Sequence, residues 1–277
     1  MAEITPLYGC YGTEALSYLL KVNDTTILLD CGWTPEFDLS LLEPLRAVAA
    51  DVDVVLISHP DIAHCGALPY AVANFGLDGA RIYMTKSCEN VAKVTLRDEY
   101  RARRARCTNN SDFDDMIRSI VRRADIDECF MRVNGVEFGA PEVINPNEAG
   151  GEDEELGESG YEKLVAKAIY AGRLLGGAVW IITSEVEEFV YAVDFASTST
   201  FEHVVPGIDW HQLERPTPRI LITDAYHTNF TAASVRVASF VLVLDPVAAL
   251  VRETRTTPAR VRLNLTAPRV LCIAFRP

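Results

Sequence analysis

The chain has 277 residues, 49% hydrophobic and 23% charged, with 26 Lys and Arg against 39 Asp and Glu for a net charge of −13. That length suits one large domain with an ample core, or one domain plus part of another, and the near-average composition excludes collagen, coiled coil and wholesale disorder. No apolar run approaches the ~18–20 residues of a membrane span, no signal peptide opens the sequence, and the acidic balance argues against a free-standing nucleic-acid binder.

Ser17 to Val22, the turn pair Asn23-Asp24, and Thr25 to Leu29 read as a β-hairpin. Asp51 to Ser58 is a short run of β-branched residues, the pattern of a strand buried on both faces. Ala67 to Phe75 then reads as a helix stopped by Gly76, and Ile82 to Met84 as the next strand, so the order indicates a layered α/β fold. A long helix is predicted from Ser87 past Tyr100, and a second from Asp112 to Arg123, with Ser111 and Asp114 at capping-box spacing. Phe130 to Val133 and Val136 to Phe138, joined by Asn134-Gly135, suggest another hairpin. Further strands are expected at Lys163–Tyr170, Gly177–Thr183, Phe189–Phe195 and Arg219–Asp224.

Two segments depart from this pattern. Residues 145–160 hold six acidic residues, four glycines and no Lys or Arg, too little apolar surface to offset ordering entropy, which predicts a disordered insertion inside a domain spanning residues 1–230. Residues 231–277 carry seven Arg against two acidic residues, with no Lys or Gly. Two readings stay open for this tail: a basic element that contacts RNA or an acidic partner, or an artefact of the reading frame. The seven cysteines (Cys10, Cys31, Cys65, Cys88, Cys107, Cys129 and Cys272) form no C-x-x-C pair and are expected to act as small buried hydrophobes in a reducing compartment.

The chemistry gathers where polar residues follow buried strands. Asp30 ends Ile27-Leu28-Leu29; His59, Asp61 and His64 follow Val54 to Ser58; Arg173 follows Ile169 to Gly172; and Asp194 follows Tyr191 to Val193. Strand ends that present Asp, His and Arg together are how α/β sheets build a site.

The stretches ILLDCG (Ile27 to Gly32), SHPDIAHCGALPY (Ser58 to Tyr70), AGRLLGGAVW (Ala171 to Trp180), YAVDF (Tyr191 to Phe195) and LITDAY (Leu221 to Tyr226) resemble the metallo-β-lactamase fold. More narrowly they resemble its β-CASP branch, and within it the non-catalytic metallo-β-lactamase subunits of the cleavage and polyadenylation specificity factor. The likeness runs from about residue 5 to 230 and does not extend into the tail. It implies an α/β protein with an αββα sandwich, here incomplete and with little or no β-CASP domain. In that family this domain follows the strand that LITDAY resembles, and Ala225 to Pro277 is too short for it, which predicts a truncated or divergent product, or a fragment.

Active members of that family hold two zinc ions with an H-x-H-x-D-H motif, a later His in an A-G-H stretch, and a bridging Asp. Laid onto it, His59 matches the first His, Asp61 stands at the second, Ala63 stands where the metal-binding Asp belongs, and His64 matches the last. Asp194 matches the bridging carboxylate, and Asp30 the acidic residue of the first motif. Arg173 takes the A-G-H position. A guanidinium has no lone pair to donate and brings a positive charge to a dication's place. The resemblance therefore implies a pseudoenzyme with no catalytic residue, metal or other cofactor, in which Arg173 bridges Asp194 and Asp61 as counter-charge.

From the same resemblance come the expected role, structural support in messenger-RNA 3′-end processing in the nucleus, and the expected partners: the active metallo-β-lactamase endonuclease subunit and a symplekin-like scaffold, with RNA contact indirect or weak and no membrane. The alternatives are a single-metal hydrolase using His59, Asp61 and Asp194, or the equivalent inactive subunit of the Integrator complex. His203, His211 and His227 are expected at the surface or in turns, Trp33 and Trp180 in the core or at its rim, and Gly66 and Gly176-Gly177 where backbones approach closely. Arg97, Arg101 and Arg104 share one helix face, read as solvated.

Overall fold

The computed structural model describes residues 2–9, 15–106, 122–144, 163–196, 206–212, 218–223 and 261–262. The fold begins with β1 (Ala2–Tyr8), β2 (Ser17–Val22) and β3 (Thr25–Leu29), an antiparallel run in which Asn23 supplies the turn with a φ of 51°. β4 (Val54–Leu56), β5 (Arg81–Thr85) and β6 (Val133–Val136) then add in parallel. The helices α1 (Glu43–Arg46), α2 (Ile62–Cys65), α3 (Leu68–Asn74), α4 (Lys86–Arg106) and α5 (Arg123–Met131) fall between these strands. A second sheet holds β7 (Pro141–Val143), β8 (Val165–Tyr170), β9 (Ala178–Thr183) and β10 (Glu188–Ala192) in antiparallel order, with β11 (Ile220–Thr223) parallel to β10 at its edge.

Strand alternation sorts the side chains into layers. Ile27, Leu29, Val54, Leu56 and Tyr83 of the first sheet meet Trp180, Ile182, Phe189 and Tyr191 of the second in a core between the sheets. Leu28, Val55, Ile82 and Met84 point the other way, into a core shared with Leu45 of α1, Leu68 of α3, Leu96 of α4 and Phe130 of α5. Val179, Ile181, Val190 and Leu221 form a third buried cluster with Ile208 on the far face of the second sheet. Among the hydrogen bonds that run from sheet to sheet, Trp180 Nε1 donates to the Ile57 carbonyl at 3.0 Å and the Ala178 N–H to the Ser58 carbonyl at 2.8 Å. They fix the C-terminal end of β4 against the start of β9, where the polar residues collect.

Most predicted elements fall in place. The hairpin at 17–29, the helix stopped at Gly76 (φ 77°), the long helix and three of the four later strands are present within a residue or two, whereas β10 ends at Ala192, three residues before the expected Phe195, and the strand expected at 51–58 is limited to Val54–Leu56. The hairpin expected at 130–138 is not present. Phe130 and Met131 end α5, and β6 runs straight through Asn134-Gly135 as a parallel partner of β5, with the Asn134 side chain donating to the Ile82 carbonyl at 3.2 Å. Long-range pairing overrides local turn preference there. Of the helix predicted at 112–123 only Arg122 and Arg123 are described, as the cap and first residue of α5, and the acidic insertion at 145–160 lies outside the described residues. Of the tail, Val261–Arg262 forms β12, a short antiparallel partner of β1.

Cys31, Cys65, Cys88 and Cys129 are buried and free, as small hydrophobes. Trp33 and Trp180 are both fully buried. His211 is exposed in a single turn, whereas His203 and His227 lie outside the described residues. Arg97 pairs with Asp127 at the partly exposed α4–α5 contact. Among the described residues no helix is long and apolar enough to cross a membrane.

Candidate functional site

Asp30 follows β3 with a φ of 58°, a left-handed conformation that Asp tolerates better than most residues. Its fully buried carboxylate accepts the Ser58 N–H at 2.7 Å, the Ser58 hydroxyl at 2.6 Å and the Tyr191 hydroxyl at 2.6 Å. Burial pushes its pKa up to about 6, with the His64 charge and these donors pulling the other way. The carboxylate thus ties the ends of β3 and β4 to β10, across both sheets.

The network also assigns the His59 tautomer. Ser58 has one hydroxyl proton, and an ionised carboxylate only accepts, so that proton goes to Asp30. The Ser58 oxygen, 2.9 Å from His59 Nδ1, therefore accepts from an Nδ1–H. His59 Nε2 is buried and makes no hydrogen bond of normal geometry, while a weaker contact with the Asp194 backbone acts on the ring from that side. Burial, reinforced by the nearby His64 charge, pushes the His59 pKa down to about 3, so the ring is neutral. The His64 ring lies 4.7 Å away between centroids, and its Nε2 is likewise buried and unpartnered.

Asp61 serves a different purpose from the one its motif position suggested. It caps α2, accepting the His64 N–H at 3.2 Å, and its Oδ1 lies 2.7 Å from His64 Nδ1. Burial opposes charge on both partners, yet their mutual attraction holds Asp61 below the usual carboxylate range and His64 protonated above the usual imidazole range. Arg173 forms its ion pair with Asp194, whose own φ is 46°. The expected bridge is half formed: the guanidinium reaches Asp194, while the Asp61 carboxylate is engaged by His64.

Glycines set the spacing. A Cβ at Gly177 would stand 2.7 Å from His59 Cδ2 and 2.8 Å from Nε2, and one at Gly176 would strike the Cys88 backbone at the start of α4. The Thr85 hydroxyl caps that helix by accepting the Cys88 N–H at 3.0 Å and donates to the Gly176 carbonyl at 2.8 Å. The loop carrying Arg173 is thereby seated on α4. Ala63 contributes only backbone, its carbonyl accepting the Leu16 N–H at 2.8 Å. Asp30, His59, Asp61, His64, Arg173 and Asp194 are thus assembled as anticipated. The roles of Ser58 and Tyr191 were not, although Tyr191 lies three residues before Asp194 on the inward face of its strand.

The fold and this strand-end cluster define a metallo-β-lactamase-type domain. A metallo-beta-lactamase superfamily domain model matches residues 19–222, and the chain belongs to that superfamily. It is 36% identical over 234 residues to the "Cleavage and polyadenylation specificity factor subunit 2" of Arabidopsis thaliana, covering 84% of this chain and 28% of that protein. Its counterpart in Oryza sativa subsp. japonica is 38% identical over 225 residues, covering 81% of this chain and 27% of that protein. This chain therefore spans little more than a quarter of the curated relatives it matches. Among solved structures, the metallo-beta-lactamase fold protein YhfI from Bacillus subtilis overlays with a TM-score of 0.44 at 14% identity, covering 84% of this chain and 76% of that one.

The donor set does not fit the zinc ions such a fold implies. A catalytic zinc takes three protein ligands and keeps a fourth position open. His59 offers an Nε2, but His64 is held protonated by the Asp61 carboxylate it engages, Ala63 has no donor side chain, and Asp194 is paired with a cation. Among the described residues, no group of three or more His, Cys, Asp or Glu side chains is placed to hold a metal ion.

Proposed function

We propose that this chain is the metallo-β-lactamase portion of a non-catalytic subunit of the nuclear complex that cleaves and polyadenylates pre-mRNA. It supports the active endonuclease subunit and a symplekin-like scaffold, contacts RNA at most indirectly, and does not itself cut. The similarity to cleavage and polyadenylation specificity factor subunit 2 supports the 3′-end-processing role. The observation that carries the non-catalytic part is Arg173 on Asp194, a fixed cation paired with the carboxylate that would bridge two metals.

The experiment is affinity purification of the tagged chain from nuclear extract, with its partners identified by mass spectrometry. Recovery of the endonuclease subunit with polyadenylation factors is the expected result; recovery of Integrator subunits instead would move the chain to that complex, and neither would overturn the proposal. One observation favours a single-metal hydrolase: the buried Nε2 of the neutral His59 ring, which makes no hydrogen bond of normal geometry. That reading requires phosphodiesterase activity that appears with zinc or manganese and disappears in His59→Ala.

A further inference from the structure

We propose that the outer edge of β1 is an acceptor for one added antiparallel strand, and that the chain fills it with its own basic tail at β12. This selects between the two readings left open for residues 231–277: the tail is a basic element, and the acidic partner it meets is the body of the same chain. The inference does not depend on whether the strand-end cluster is catalytic.

β12 is the outermost strand of the seven-stranded sheet, beside β1. The register sets Val261 opposite Ile4 and Arg262 opposite Glu3. In β1, Ala2 and Ile4 are buried in the core between the sheets, whereas Glu3 and Thr5 are partly exposed. The tail sequence repeats that two-residue period: Arg260, Arg262 and Asn264 alternate with Val261, Leu263 and Leu265, between Pro258 and Pro268. The register therefore sets an apolar residue against a buried one and a base against an acid, and a slip of one residue would undo both matches. Charge favours the same docking. The tail's seven Arg and two acidic residues give it a net charge of +5, which leaves the first 230 residues of this −13 chain at −18. A short edge strand that carries Arg and is bracketed by prolines also protects a sheet from pairing with other chains. Uncovered, β1 would present its own row of N–H and C=O groups as a template.

The test uses the full 277-residue chain carrying Glu3→Cys and Arg262→Cys. Residues directly opposite in an antiparallel pair have Cα atoms about 4.5–5.5 Å apart, a separation that a disulfide spans. Mild oxidation is expected to join these two positions in most molecules, as read by peptide mass mapping. It is not expected to join them in a control chain carrying Glu3→Cys with Arg269→Cys. No cross-link at the first pair overturns the proposal, as does a control that cross-links equally well. Oxidising a mixture of isotope-labelled and unlabelled protein separates the two possible occupants. Cross-links uniform in label support the tail, whereas labelled–unlabelled hybrids mean that a second copy fills the edge and overturn the proposal. Amide exchange reads the pairing without added cysteines, and it decides the matter should the cysteine pair fail to fold. Val261→Pro with Arg262→Pro removes both N–H groups of β12, one of which faces β1 in an antiparallel ladder. Exchange in β1 is then expected to rise at least about tenfold over wild type while β3 and β4 keep their protection. Unchanged exchange in β1 overturns the proposal.

Discussion

Replacing Tyr191 by Phe removes one hydroxyl and leaves the fully buried ring in the core between the sheets. That hydroxyl donates to Asp30 Oδ2 at 2.6 Å, a short bond to a buried carboxylate. Hydrogen bonds to charged groups contribute about 1.5–3 kcal/mol, so the expected loss in unfolding free energy is of that size. The melting temperature should fall by roughly 4–10 °C. The loss should also depend on pH. Burial raises the Asp30 pKa from 3.8 to about 6, so the native state binds a proton that the unfolded chain releases between those values. Stability from this group is therefore greatest below the unfolded value and falls as pH rises through the folded one. Without the Tyr191 donor the folded pKa rises further, so the variant's deficit is small at about pH 5 and reaches its full size at about pH 8. Urea unfolding at both pH values, followed by the fluorescence of the buried Trp33 and Trp180, measures it. A deficit equal at both values, or one below about 0.5 kcal/mol at the higher, would refute the role assigned to the Asp30 carboxylate.

Gly177→Ala should cost about 1–3 kcal/mol in urea unfolding, because the added Cβ would stand 2.7 Å from the His59 ring, which is buried on every side. His59→Gln should flatten the acid limb of the stability curve. In wild type the His59 pKa is pushed down to about 3 from 6.5, so the unfolded chain binds a proton the native state refuses, and stability falls as pH drops through that window. The slope from this group approaches about 1.4 kcal/mol per pH unit, and a Gln variant that keeps it would show the acid sensitivity to lie elsewhere. Arg97→Ala should leave the urea-unfolding midpoint close to that of wild type, since its pair with Asp127 is exposed enough for solvent to screen it; a midpoint that drops clearly in low salt and recovers in high salt would show the pair to matter more than this.

The parts of the fold written in local pattern were legible. The β-branched run before Ser58, the Asn-Asp turn at 23–24 and the Gly76 stop each carry their own conformational signal; the turn and the stop stand where they were expected, and the strand forms at the centre of its predicted span, at Val54–Leu56. The stretch at 130–138 misled because Asn134-Gly135 is a strong turn signal only when the next strand folds back. Here the partner is β5, some fifty residues earlier in the chain, and no local pattern encodes that pairing. The site was legible as a set of residue types at strand ends, including the arginine where a ligand was due. Its wiring was not. Asp61 occupies a ligand position but behaves as the cap of α2, a role Asp side chains favour at a helix N-terminus and one that becomes visible only once α2 starts at Ile62. Ser58 and Tyr191 gained their roles from the approach of two sheets, with Tyr191 separated from Asp30 by 161 positions.

The account turns on whether the strand-end cluster holds a metal. The most direct measurement is elemental analysis of the purified chain after incubation with zinc, giving moles of zinc, manganese and iron per mole of protein. The expected ratio is near zero for each. A ratio approaching one, lost in His59→Ala, would mean that Arg173 leaves the site open, and the chain would then have to be assayed as a nuclease.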